Sequence, residues 1–354
     1  MKLLHTADLH IGDSRALPNY LDRQEKMLRQ ITEIAIREKV DAVVIAGDIC
    51  DAKRMFEREK DMLLTWMIEH DRAGEKHDFW TVVMNGNHDE IEAGYTHLRG
   101  HRIMADYGMF HRTYVVEDKP QLVGAIKDKI WFAVLPAPSK RYEGDEINET
   151  VVTLRNSLIK KLESKGQKIE DVYFVAMIHE AVDGAINEIA THKIRKGPVI
   201  SRNLGVTYWA LGDIHKPFQQ ILPNAWYSGS PIQHDFGDVS QDRGVLIVDL
   251  DAPTKPKPVM ITGITPLVTL TEVPKEWPKD QIIRFEGSSK AITETMFPAN
   301  VVGFKPMVED VKVVVNVEGD DLLEGLAEVF LDQKVPEDLQ ESVVGAIREA
   351  AAIL

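Results

Sequence analysis

Residues 40–51 read VDAVVIAGDICD: a short apolar, β-branched run, Val40–Ala46, followed at once by Gly47, Asp48 and, close behind, Asp51. Such a run is what a strand buried on both faces looks like, as in a parallel sheet covered by helices. Glycine at its end lets the chain turn sharply, which leaves Asp48 at a sheet rim. The same arrangement recurs outward along the chain. Met1–Ala7 runs into Asp8-Leu9-His10, and Phe79–Met84 leads to Gly86-Asn87-His88-Asp89. Asp171–Ile178 leads to His179-Glu180, and Tyr208–Leu211 to Gly212-Asp213-Ile214-His215. One open sheet can bring all of these tips to a single edge.

Between the strands lie helical patterns. Tyr20–Lys39 carries Leu21, Met27, Leu28, Ile31, Ile34 and Ala35 at the 3.6-residue period, and Phe56–Asp71 and Glu149–Ser164 are two further helix candidates. The second is more apolar than one stripe requires, which core packing explains more simply than a dimer face. After Tyr107 the pattern shifts to shorter strands, Thr113–Val116, Gln121–Ala125 and Ile130–Leu135, and later Trp226–Ser228 and Val245–Leu250. Alternating βα units followed by a more extended half predict an α/β fold of two packed sheets with helices outside. The proline-rich Asp251–Pro258 reads as a linker or an edge. Beyond it a smaller α+β capping module is expected, with strands at Ile282–Phe285 and Val311–Val317, then helices at Asp320–Gln333 and Pro336–Leu354. The expected domains are therefore 1–258, 259–319 and a helical 320–354.

The chain has 354 residues, enough for one large core and an appended module, and its 44% hydrophobic and 28% charged composition is ordinary for a globular protein. No stretch is apolar enough to span a bilayer, so no membrane association is expected. The start, Met1-Lys2-Leu3-Leu4-His5, lacks a long apolar signal core, and a single cysteine excludes an internal disulfide. A cytoplasmic setting is the expectation. The net charge of −14 runs against unaided binding of nucleic acid, which basic surfaces favour; either the substrate is not a polyanion, or metals and a partner supply the missing positive charge.

The strand-end residues are those that bind divalent cations. Asp8 and His10, two apart on a strand, would face the same side, and the Asp48 carboxylate has lone pairs enough to bridge two ions. Asn87 offers a neutral oxygen to an ion already surrounded by anions, which frees His88 to face substrate and protonate a leaving oxygen. His179 and His215 complete a nitrogen-rich set. Two ions roughly 3.5–4 Å apart would activate water and clamp a phosphate. Each piece alone has a plainer reading: a polar strand terminus, or a satisfied histidine under a loop. Jointly and in order, they favour a metal site.

The series D-x-H, G-D, G-N-H-D, H and G-x-x-H resembles the calcineurin-like metallophosphoesterase superfamily, whose fold is four-layered. MKLLHTADLHIG (1–12), YWALGDIHKPF (208–218) and YSGSPIQHDFGD (227–238) resemble its SbcD-type subunits, the nucleases of the meiotic-recombination DNA-break complex. Size and a divergent last third point to a phage-encoded member acting in the host cytoplasm. The resemblance covers about residues 1–250. It implies one ion held by Asp8, His10, Asp48 and His215, and a second by Asp48, Asn87, His179 and position 213, with His88 catalytic. It also implies two Mn²⁺ ions (Mg²⁺ the alternative), 3′–5′ exonuclease action on duplex DNA, endonuclease action on single strands, an SbcC-type SMC-like ATPase partner and a homodimer. The family normally has histidine where this chain has Asp213. Two dications against Asp8, Asp48 and Asp213 leave a net +1, which suits a phosphodiester and a hard ion. A phosphomonoesterase, a cyclic-nucleotide phosphodiesterase or a silent DNA-processing scaffold are the alternatives.

Other residues carry weaker signals. Arg99 and Arg102 are candidate phosphate contacts if the substrate is DNA, and His97 and His101 belong more simply to the same polar segment than to a zinc pair. His234 and Asp235 are expected near the site without ligating, and Cys50 as a packed side chain. Lys193, Arg195, Lys196 and Arg202 form a modest basic cluster, by default a solvated loop.

Overall fold

In the computed structural model, residues 1–13, 15–51, 55–92, 94–137, 142–143, 145–187 and 197–306 are described. In chain order the elements begin β1 (Lys2–Thr6), α1 (Tyr20–Glu38), β2 (Ala42–Ala46), α2 (Glu57–His77), β3 (Trp80–Met84), the hairpin β4 (Glu90–Glu92) and β5 (Tyr95–Thr96), and α3 (Arg99–Asp106). They continue with β6 (Thr113–Val116), β7 (Gln121–Ile126), β8 (Ile130–Leu135), α4 (Glu146–Glu163), β9 (Tyr173–His179) and β10 (Tyr208–Gly212). The last are β11 (Gln219–Leu222), β12 (Ala225–Tyr227), β13 (Gly244–Asp249), β14 (Lys257–Met260), β15 (Leu267–Leu270), β16 (Ile282–Gly287), α5 (Ser289–Glu294) and β17 (Val301–Pro306).

Two six-stranded sheets result, ordered β14-β13-β1-β2-β3-β6 and β11-β12-β10-β9-β8-β7. Within the first, β1, β2, β3 and β6 run parallel; within the second, β8, β9, β10 and β12 do. Alternation along the strands sorts side chains into layers. Leu4, Val43 and Ile45 pack with Met27, Ile31 and Leu63 of the helices α1 and α2. Leu3, Val44 and Ala46 point the other way and meet Val175, Met177 and Tyr208 of the second sheet. Phe174, Ala176 and Ile178 face Leu158 and Leu162 of α4. The order is helix, sheet, sheet, helix, and each fully buried aliphatic or aromatic side chain contributes about 1.5–3 kcal/mol. Four layers with both sheets covered explain why the strand sequences are apolar without alternation.

α1 ends where Lys39 turns left-handed (φ 53) and returns its N–H to Ala35 and Ile36. α2 runs on to His77, past the expected end at Asp71, and buries Leu63, Trp66 and Met67 against the core. His70 bridges Thr32 of α1 (2.7 Å) and Thr81 of β3 (3.0 Å), tying both helices to the sheet. α4 likewise starts earlier than the expected Glu149, at Glu146, and so adds the buried Ile147 to its apolar face. α3 has no counterpart in the sequence reading, since RGHRIMAD shows no apolar stripe and buries no residue. Lys257–Met260 of the proline-rich stretch is an edge strand on β13, where missing N–H groups are tolerated.

The three-stranded sheet β15-β16-β17 with α5 follows, and its Leu267 and Ile282 pack against Leu17. Residues 1–305 cluster as one compact unit. The strand expected at Val311–Val317, the helices expected over 320–354, and Lys193, Arg195 and Lys196 lie outside the described residues.

Candidate metal centre

Because the parallel strands of each sheet share a direction, their carboxyl ends lie at one edge, where open α/β sheets present their ligand sites. One expectation needs correction. Asp8 and His10 do not lie on a strand: β1 ends at Thr6, and both residues are left-handed (φ 54 and 45). Asp48 (φ 51) and Asp213 (φ 90) share that sparsely populated conformation, the kind of local strain that collects at functional sites. The surroundings impose it. Asp8 N donates to Gly47 O (3.0 Å), His10 N to Asp48 O (3.0 Å) and Ile11 N to Ile49 O (2.8 Å), so the loop after β1 is zipped along the loop after β2.

Three of the motifs place a glycine just before a candidate ligand, and the reason is space. A Cβ on Gly47 would sit 2.3 Å from His179 Nδ1, and one on Gly86 would sit 2.1 Å from Asp48 Oδ1. A Cβ on Gly212 would meet Ala46 O at 2.0 Å. No side chain fits where two sheets deliver their tips to one centre.

The imidazoles are held by their Nδ1 atoms. His179 Nδ1 donates to Ala46 O at 2.7 Å, which leaves Nε2 3.2 Å from Asp48 Oδ2 and 3.8 Å from Asp213 Oδ1. His10 Nδ1 lies 2.9 Å from Asp51 Oδ1, and His215 Nδ1 3.3 Å from Asp238 Oδ1. Ionised carboxylates only accept, so both of these Nδ1 atoms carry the proton. Yet His10 Nε2 and His215 Nε2 face each other at 2.9 Å. Two lone pairs at that distance repel unless a cation or a shared proton sits with them.

Asp8 Oδ1 accepts from Asp213 N (3.1 Å), while the buried Asp8 Oδ2 and His179 Nε2 have no aligned hydrogen-bond partner. Leaving such atoms buried and unsatisfied costs about 1–3 kcal/mol each. Asp8, Asp48 and His179 offer atoms within 4.8 Å of one another, and so do Asp8, His10 and His215. Oxygen and imidazole nitrogen donors with orphaned atoms turned inward fit divalent cations of the manganese, iron or zinc kind. Asn87 lies half-buried between Gly86 and His88, at the tip after β3.

The titration shifts have the same origin. Burial alone would raise the Asp48 carboxyl, but His179, and then His10 and His88, hold it well below the usual carboxylate range. Burial pulls His179 down, and Asp48, Asp8 and Asp213 together pull it well above its ordinary value. His215 rises from 6.5 to about 9 because Asp238 and Asp8 outweigh its burial. His88, 46% exposed, rises to about 9 chiefly through its hydrogen bond to Asp51, whose Oδ1 lies 2.8 Å from His88 Nδ1. At His179 and His215 these shifts favour a proton where a cation would otherwise sit.

Several further residues support this centre, some named from the sequence and others, such as Tyr227, not. Asp51 pairs with both His10 and His88 through one oxygen, and those bonds hold it well below the carboxylate range against the pull of burial. Asp89, fully buried, accepts from Cys50 N (2.7 Å), Gly86 N (2.7 Å) and Ile49 N (3.2 Å) and so stitches the loops after β2 and β3 together. Its place in G-N-H-D is visible in the sequence; its three amide partners are not. Tyr227 Oη holds the loop after β9, accepting from Val182 N and donating to Glu180 O. His234, buried, donates from Nε2 to Asp8 O (2.9 Å), and its ring centre lies 5.0 Å from that of His10. Cys50 is fully buried.

Away from this centre, Arg99 and Arg102 both pair with the buried Glu117 (3.2 and 3.1 Å), and Arg102 also with Asp106 and Asp118. A phosphate would have to compete with these carboxylates. His101 sits on α3 and His97 just before its cap, both lining a mostly apolar cavity of about 340 Å³ beside α2. No described helix is long and apolar enough to cross a membrane.

Comparison with known proteins points to a family. The calcineurin-like phosphoesterase family model matches residues 1–217. The SbcD component of the SbcCD nuclease from Staphylococcus epidermidis is 26% identical over 259 residues, 71% of this chain and 66% of that protein. The same component from Rhodobacter capsulatus is 24% identical over 292 residues, 76% of this chain and 71% of its own length. The chain thus spans just under two thirds of the first relative. A crystal structure of a dimetal phosphatase from Danio rerio aligns over 70% of this chain and 91% of its own, with a TM-score of 0.38 and 12% identity. With its first 217 residues matched and its strand-end carboxylates and imidazoles converging on one rim, the chain belongs to the calcineurin-like phosphoesterase family.

Proposed function

We propose that the chain is a metal-dependent phosphodiesterase acting on DNA, with two divalent cations held by Asp8, His10, Asp48, Asn87, His179, Asp213 and His215. The observation that carries the reading is the facing pair His10 Nε2 and His215 Nε2 beside the buried Asp8 Oδ2 and His179 Nε2, which no aligned hydrogen bond satisfies. In this reading Asp48, whose Oδ2 lies 3.6 Å from His10 Nε2 and 3.2 Å from His179 Nε2, would serve both ions. Bound dications at such a site supply Lewis acidity toward the phosphoryl oxygens and lower the pKa of water. The chain's own part is a proton: His88, its Nδ1 engaged by Asp51, keeps a proton on Nε2 for the leaving oxygen. Asp213 supports Mn²⁺ or Mg²⁺ over softer ions, because an oxygen ligand replaces an imidazole.

The names of the relatives, each a subunit of a nuclease, support nuclease action and a place in an assembly. We extend this to 3′–5′ exonuclease action on duplex ends, endonuclease action on single strands, an SbcC-type ATPase partner, a homodimer and a cytoplasmic, phage-encoded setting. A partner would supply the positive charge that a chain of net −14 lacks. In this proposal 1–258 is the nuclease domain, 259–319 a cap, and 320–354 the partner-docking helices.

The deciding experiment incubates purified protein and Mn²⁺ with linear duplex DNA, circular single strands and small phosphoesters. Degradation of DNA supports the proposal. Turnover of small phosphoesters alone would replace it with a phosphomonoesterase or cyclic-nucleotide phosphodiesterase, and no turnover with either would leave a DNA-processing scaffold.

A further inference from the structure

We propose that Asp238 is a positioning residue for His215, pinned by Arg243 so that the His215 ring keeps its Nε2 turned toward His10. The proposal rests on the reading of His215 as a metal ligand. Asp238 and Arg243 are buried, 4% and 2% exposed. Asp238 Oδ1 lies 3.3 Å from His215 Nδ1 and 3.4 Å from Arg243 Nη2, while Oδ2 accepts from His234 N at 2.8 Å. Arg243 holds the other side of the same residue: Nη1 donates to His215 O (2.8 Å) and to Ser230 Oγ (2.5 Å), and Nε to Ser240 O (2.9 Å). Main chain and ring of His215 are therefore gripped by one buried ion pair.

Such a pair contributes little net stability, since removing two charges from water offsets most of their attraction. What it contributes here is direction. A carboxylate can only accept, so it selects the His215 tautomer with the proton on Nδ1, against the Nε2–H form that free neutral imidazoles prefer. That selection leaves the Nε2 lone pair at 2.9 Å from His10 Nε2. Asp51 and the Ala46 carbonyl occupy Nδ1 of His10 and His179 in the same way, and partners of this kind orient metal-binding imidazoles generally. Asp238 is the carboxylate contributed from farthest along the chain, at the end of the turn 227–238.

The test has two arms on the full chain. Nuclear magnetic resonance of isotope-labelled histidine in the metal-free protein, above the titration of the imidazole, reads the tautomer directly; the His215 signal is assigned by its loss in His215→Gln. The Nδ1–H form is expected, and the Nε2–H form overturns the proposal without reference to metal. In the second arm, Mn²⁺ titrations followed by electron paramagnetic resonance compare the wild type with Asp238→Asn and Asp238→Glu, each first shown to be folded. Asp238→Asn should bind one ion about 10–100-fold more weakly, with partial recovery in Asp238→Glu; undiminished affinity in a folded Asp238→Asn overturns the proposal. If the wild type bound no Mn²⁺, the metal reading would fail while the tautomer arm still decided the orientation. Should Asp238→Asn not fold, the wild-type tautomer decides alone.

Discussion

The two sheets reach the same centre by different means. From the first, the loops after β1, β2 and β3 are fastened to one another by backbone hydrogen bonds between 8–11 and 47–51 and by the three amide protons that Asp89 accepts. From the second, His179 arrives after β9 and Asp213 together with His215 after β10; His179 and Asp213 are each held by a first-sheet atom, Ala46 O and Asp8 Oδ1, and His215 by Asp238. The first sheet is thus a frame and the second docks onto it. Damage in the frame should spread to every ligand, whereas damage in the second sheet should stay local.

The most severe test of that asymmetry is Asp48→Ala. It removes the carboxylate that faces His10 and His179 and accepts from His88 N. Calorimetry should find Mn²⁺ binding gone, and DNA cleavage should fall by at least about 10³-fold, because the ions supply several kcal/mol of charge stabilisation. Next comes His88→Ala, expected to slow cleavage by about 10²–10⁴-fold while Mn²⁺ stoichiometry stays unchanged. Equal loss of metal and turnover in that variant would remove the distinction between ligand and proton donor.

Gly212→Ala strikes the junction between the sheets. Its Cβ would collide with Ala46 O and with His179 Nδ1 at 2.6 Å, so thermal unfolding should show a destabilisation of about 1–3 kcal/mol together with weakened metal binding. An unaltered melting curve would mean the two sheets are not clamped there.

The pH dependence follows from His215, raised from 6.5 to about 9 in the metal-free protein. Its folded value lies above the unfolded one, so its contribution to metal-free stability is fully present below 6.5 and is lost as pH rises through about 9. Metal binding must expel that proton, so affinity should climb over the same window. Calorimetry in buffers of different ionisation enthalpy should register proton release on Mn²⁺ binding near neutral pH. No release would show that His215 is not displaced from its proton.

The smallest effect is expected from Asp213→His, which exchanges a carboxylate held at the second sheet for the histidine that the sequence resemblance implies there. Both ions should remain bound, with preference moving from Mn²⁺ toward softer Zn²⁺ by about tenfold or less, read by competition titration. Loss of an ion would mean that Asp213 had been indispensable rather than a tolerated exchange.

Much of this is legible in the chain. Apolar runs without alternation at Val40–Ala46 and Phe79–Met84 announce strands covered on both faces, and the order of motifs announces the rim. Gly47 reads as a turn former; close approach is the stronger constraint there, and also at Gly86 and Gly212. α3 stays hidden because it carries no apolar stripe. Alternation, the only local rule available, puts Asp8 and His10 on a strand, whereas their left-handed turns come from pairing with the next loop.

By itself the sequence determined the layered α/β class and which side chains stand at strand ends, since both follow from local periodicity and turn chemistry. Only the tertiary structure decided how those side chains are aimed. His10 takes its orientation from Asp51, 41 positions away, His215 from Asp238, 23 away, and His179 from Ala46 O, 133 away. An imidazole's direction depends on whatever lies against its Nδ1, and a chain folded into two facing sheets chooses that neighbour through packing.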